Sequence, residues 1–137
     1  MEQGDPVEIP RAVFEQVTAL CLALPEVTVR VDQPRVEWRS TAHSFDIRRR
    51  SFCLLIATAD ASGTAVPRIV LRIHPDDRDA LVSIGHPYFR SRGGRDRVGV
   101  LLTDDTDWGE IRELVTESYR LIAPKKLSAT LDTNSTT

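Results

Sequence analysis

The sequence predicts a single α+β domain, with a mostly antiparallel sheet of five or six strands packed against helices near both ends of the chain. Three observations predict it. Apolar residues recur at helical spacing near both ends, while the middle alternates apolar and polar residues with period two. The strand-like segments follow one another on short connections, the signature of an antiparallel meander rather than of βαβ crossovers. No internal repeat and no linker divides the 137 residues, and this length favours one domain.

In chain order, residues 1–9 read as a flexible lead-in and 10–127 as the folded domain. Pro10 suits a first helical turn, and Val13, Phe14, Val17, Leu20, Cys21 and Leu24 mark one apolar face of a helix that Pro25 ends. "VTVRV" (27–31) and "VEW" (36–38) alternate as strands. In "SFDIR" (44–48), Phe45 and Ile47 point to one side and Asp46 and Arg48 to the other. "RRRS" (48–51) forms a hairpin tip before the more continuously apolar "FCLLIAT" (52–58). "DASGT" (60–64) is turn chemistry, and "VPRIVLRI" (66–73) is a strong strand with Pro67 near its start.

"HPDDRDALVSIG" (74–85) reads as a short helix, with Pro75 in its first turn and Gly85 beyond its end. "FRSRGGRDRVGV" (89–100) then turns the chain into a strand at 98–103, with Gly93 and Gly94 expected to permit positive φ. Phe89 is expected in the core, whereas Tyr88 suits either packing or stacking on a base. The last helix opens with Asp107 and Glu110 at capping-box spacing. Trp108, Ile111, Leu114, Val115, Tyr119 and Ile122 form its apolar stripe before Pro124. Residues 128–137, without apolar periodicity, read as a mobile tail.

Composition narrows the function classes. Hydrophobic residues make up 41% of the chain and the net charge is −2, so bulk charge does not announce a nucleic-acid binder. No apolar run is long enough to cross a bilayer, and the acidic N-terminus has no signal-peptide pattern. Cytoplasmic is the expected location. Cys21 and Cys53 lie in apolar segments and read as reduced core thiols. His43, His74 and His86 lack ligand-like spacing with them, so no metal and no cofactor is expected. Asp104, Asp105 and Asp107 precede a helix, where capping explains them. No serine sits in a nucleophile-elbow context, and "RGGR" has neither the P-loop spacing nor a dinucleotide-fold position. A non-enzymatic protein is expected.

Laid out this way, the chain resembles the MmcQ/YjbR family of small bacterial proteins. The resemblance is carried by Asp107, Trp108, Ser118, Tyr119, Arg120, Ala123, Pro124 and Lys125 in the C-terminal third. Phe45, Ile47, Arg50, Phe52 and Cys53 in the hairpin and "LALP" at 22–25 add to it. It implies a CyaY-like shape and DNA binding through two wing-like hairpins. The chain departs from the family pattern at Arg30, where an acidic residue is common, at "STAHS" (40–44), where a Gly-x-Pro approach to the hairpin is common, and at Arg97, where an aromatic is common.

The arginines fit two such wings. Arg48, Arg49 and Arg50 crowd the first tip, and Arg90, Arg92, Arg95 and Arg97 surround the second against Asp96 alone. A near-neutral chain can therefore present one basic face, and guanidinium groups suit bidentate phosphate contact. These seven arginines are the candidate contacts to double-stranded DNA. The alternative is a non-catalytic module binding an acidic protein or a small ligand. A third role for the arginines is to keep strand edges and loops soluble and unpaired.

Overall fold

A computed structural model of the protein describes residues 7–32, 42–91 and 93–135, with the side chains of 132–135 left out. The expected strand at 36–38, and Arg92, lie outside the described residues. Pro10 caps α1 (Arg11–Leu22), which buries Val17 and Cys21. Five strands and a helix follow the expected order: β1 (Thr28–Asp32), β2 (Ala42–Ile47), β3 (Arg50–Ala59), β4 (Ala65–Arg72), α2 (Pro75–Ile84) and, after a further short strand, β6 (Arg97–Leu101). His74 caps α2, its Nδ1 accepting from the Asp76 amide at 3.3 Å.

The short strand is β5 (Tyr88–Arg90), which pairs with β6. Three residues are too few to show periodicity, so the sequence reading passed over it. All pairings are antiparallel, in the order β1-β2-β3-β4-β6-β5.

Register sorts the side chains into two faces, because directly paired residues share a side and neighbours alternate. One face carries Phe45, Cys53, Leu55, Ile69, Leu71, Val98, Val100 and Tyr88, all of them core residues. On it lie α1, α2 and α3 (Trp108–Ile122), whose Ile111, Val115 and Tyr119 are buried. The two buried thiols meet here and are free. The Cys21 hydrogen bond and burial push the Cys53 thiol well up.

Asp107 caps α3 by accepting from the Gly109 and Glu110 amides at 3.0 and 3.2 Å. The expected reciprocal bond of a capping box gives way to another partner: the Glu110 carboxylate accepts from Tyr88. A fourth helix, α4 (Lys125–Ser135), occupies most of the segment that the sequence reading treated as an unstructured tail. Leu127 and Leu131, four residues apart, hold it to the core; two anchors are too few to register as a periodic stripe.

The matched serine and tyrosine of α3 tie the layers together. A register shift between Phe45 and Asp46 leaves Phe52 as an extra residue in β3. Pairing of β3 with β4 stops at Cys53 and Leu71. Beyond that point the buried Ser118 hydroxyl donates to the Phe52 carbonyl and accepts from the Arg72 amide at 2.8 Å. It thereby satisfies two backbone groups that the ladder leaves open. Tyr119 packs edge-on against Phe52, with ring centroids 5.5 Å apart. Its hydroxyl donates to the Pro25 carbonyl at 2.7 Å, pinning the end of α1.

Candidate nucleic-acid interface

The two arginine loops leave the same end of the sheet. The β2–β3 turn sits between Ile47 and Arg50, and Arg72, which ends β4, pairs with Arg97, which begins β6. With β4 lying between β3 and β6, the two tips are about three strand spacings apart, on the order of 14 Å. Arg49, Arg50, Arg90 and Arg95 are exposed and Arg97 is half-buried. Arg48 is exposed too, but its guanidinium pairs with Glu26 at 3.0 Å.

The first tip is a two-residue hairpin turn with φ of 51° at Arg48 and 69° at Arg49. Such a turn favours Asn-Gly, because positive φ crowds a side chain against the backbone. Here two arginines occupy it instead. In the second loop only Gly94 has the positive φ expected of both glycines, at 129°. Gly93 has a different reason: a Cβ there would meet the Arg97 side chain at 2.7 Å. Its missing side chain makes room for Arg97 to lie across the loop.

The opposite face of the sheet bears no helix among the described residues, and its chemistry differs from the core face. Register puts Arg30, Asp32, Ser44, Asp46, Leu54, Ile56, Arg68, Val70, Arg72, Arg97, Gly99 and Phe89 on it. Phe89 is therefore not in the core, as the sequence reading expected; Tyr88 is. Strand alternation sends neighbours to opposite sides, and Tyr88 takes the helical side. The far end of the Phe89 ring sits over Gly99, where a Cβ would approach it to 2.2 Å. The Arg68 guanidinium sits 5.2 Å from the ring centroid and donates to Thr58 at 2.6 Å. Partial burial lowers the Arg68 pKa.

At the arginine end of this face lies a concavity of about 290 Å³. On one wall Arg30 reaches Asp32 at 2.9 Å, Asp46 at 3.4 Å and the Ser44 hydroxyl at 3.3 Å. On the other wall stand Arg72 and Arg97, with Leu54 and Val70 as the floor. Arg72 donates to the Ser51 carbonyl at 3.0 Å and meets Asp96 at 3.4 Å. Burial first, then the positive charge of Arg97, lowers its pKa; Arg50 adds to this and Asp96 opposes it. Arg68 and Arg72 carry no signal in the sequence beyond that of ordinary polar positions of a strand. Their clustering depends on pairing between distant strands.

Among the described residues, no group of three or more His, Cys, Asp and Glu is disposed to hold a metal ion. None of the described helices is long and apolar enough to cross a membrane.

Together these features define a small two-layer α+β protein, apolar where helices cover its sheet and arginine-bearing where they do not. The YjbR family profile matches residues 22–121, and the chain belongs to that family. A crystal structure of a Pseudomonas syringae protein from a structural genomics programme is similar, with a TM-score of 0.59. The two are 17% identical over 82% of this chain and 98% of the other, so the likeness speaks to the fold alone. No curated protein matches the chain. Arg30 and Arg97, two of the positions that depart from the expected family pattern, both line the concavity.

Proposed function

We propose that this protein is a non-catalytic binder of double-stranded DNA that grips the phosphate backbone with the arginine end of its sheet. One observation carries the reading: two arginine-bearing tips leave the same end of one rigid sheet, with Arg72 and Arg97 between them. Contacts of this kind fix position on a duplex without reading bases. The positive φ at Arg48 and Arg49 supports it, since glycine would fit that turn at lower backbone cost. The contacts are Arg49, Arg50, Arg90, Arg95 and Arg97, with Arg48 able to exchange Glu26 for a phosphate because an exposed ion pair is weak. The expected setting is the cytoplasm.

The test is titration of a labelled duplex at two salt concentrations. If five phosphates are neutralised, log K falls against log salt with a slope of about −4.5. Arg49→Gly weakens binding and shallows the slope by about one unit while leaving the fold as stable or more so. No binding at low salt overturns the reading. Equal competition by an acidic peptide moves it to an acidic protein partner.

A further inference from the structure

The concavity on the open face shares Arg97 with the DNA reading but otherwise uses other residues, and its charge is arranged differently. One wall is self-compensated. Arg30 is held by Asp32 and Asp46, with the Ser44 hydroxyl donating to Asp46 at 2.7 Å. The facing wall is not. Arg72 and Arg97 stand close enough for each other's charge to matter, with Arg50 in reach, against the single carboxylate of Asp96 at 3.4 Å. The Arg72 side chain is only 18% exposed, so water screens this crowding poorly.

The Arg97 amide donates to the Gly94 carbonyl at 3.3 Å, but its guanidinium makes no hydrogen bond or ion pair among the described residues. Gly93 nevertheless leaves the space in which its side chain rests beside the concavity. The floor between the walls is apolar, from Leu54 and Val70.

We infer that this concavity binds a small molecule through a phosphate or carboxylate group held by Arg72 and Arg97. The ligand's short carbon portion lies on Leu54 and Val70. An oxyanion there removes the like-charge crowding and supplies Arg97 with acceptors suited to its planar fork. A volume of about 290 Å³ sits at the small end of ligand pockets and suits a compact anion rather than a nucleotide. The negative carboxylates of the facing wall repel a second large anionic group, so the charge of the ligand is concentrated at one end. The inference stands whether or not DNA binds, because Arg72, Leu54 and Val70 belong to the concavity alone and only Arg97 is shared with the DNA reading.

The experiment is calorimetric titration of the full chain with propyl phosphate and, separately, butyrate, at matched ionic strength. Saturable binding of either probe is expected. Propyl phosphate alone identifies the phosphate class, butyrate alone the carboxylate class, and both together a compact oxyanion of either kind. Arg97→Ala weakens binding by about tenfold or more, as loss of a charge-assisted pair does. Arg49→Ala, at the exposed turn outside the lining, leaves it unchanged. The fold of each variant is checked by circular dichroism. The inference is overturned if neither probe saturates below about 10 mM, or if Arg97→Ala binds like the parent. It also fails if Arg49→Ala weakens binding as much, since the attraction is then diffuse charge and no site. DNA binding is decided separately, by the salt slope and Arg49→Gly.

Discussion

The two faces of the sheet are built from the same strands and obey different rules. On the helix-covered face the central strands β3, β4 and β6 present buried apolar residues to the helices, while Val29 and Val31 of the edge strand β1 stay exposed. On the open face Leu54, Val70 and Phe89 are half-buried, with Ile56 buried, and they are interleaved with Arg30, Arg68, Arg72 and Arg97. The difference teaches where the free energy of folding is gained and where chemistry is displayed. Burial on one side stabilises the strands enough that the other side can hold like charges near one another.

The largest effect that could break this comparison is a matched pair of truncations. Phe45→Ala, in the covered face, costs about 3–5 kcal/mol in chemical denaturation. Val70→Ala, on the floor of the open face, costs about 1 kcal/mol. Similar losses would mean that both faces are core.

A smaller effect tests the order of the open face. Gly99→Ala drives a methyl into the Phe89 ring and costs about 1–3 kcal/mol. Adding Phe89→Ala to it recovers most of that loss, a coupling of about 1 kcal/mol or more in a double-mutant cycle. Simple additivity would show that the ring does not rest on Gly99.

The smallest effect lies on the covered face and depends on pH. Burial, then the bond to Glu110, pushes the Tyr88 hydroxyl from 10.0 up to about 12. The folded state therefore favours the protonated phenol. That stabilisation is complete below pH 10 and is lost as pH rises through about 12. Denaturation midpoints of the parent fall across this window, and those of Tyr88→Phe fall less. Tyr119, raised in the same direction by burial and Glu26, accounts for part of what remains. Identical pH profiles would remove Tyr88 from the covered face.

The sequence by itself determined the elements whose signals are local. The α1 and α3 stripes, the Asp107 cap, the hairpin at 48–51, the turn at 60–64 and the helix at 75–84 were all legible. Each is specified by residues within a few positions of one another, through periodicity, capping or turn sterics. It also determined that arginines gather at two loops. β5 and α4 were not legible, because three residues show no period and two leucines make no stripe. Phe89 was misassigned for the same reason: one residue of alternation separates the core from the open face.

Only the tertiary structure decided which side of the sheet stays open and what meets there. Arg30, Arg72 and Arg97 are far apart in the chain. They share one end of one face because β1, β4 and β6 pair in particular registers, and register is a property of partners. Gly99 makes the same point: the Phe89 ring rests where its Cβ would stand. No local reading of a glycine can reveal which ring will come to rest on it.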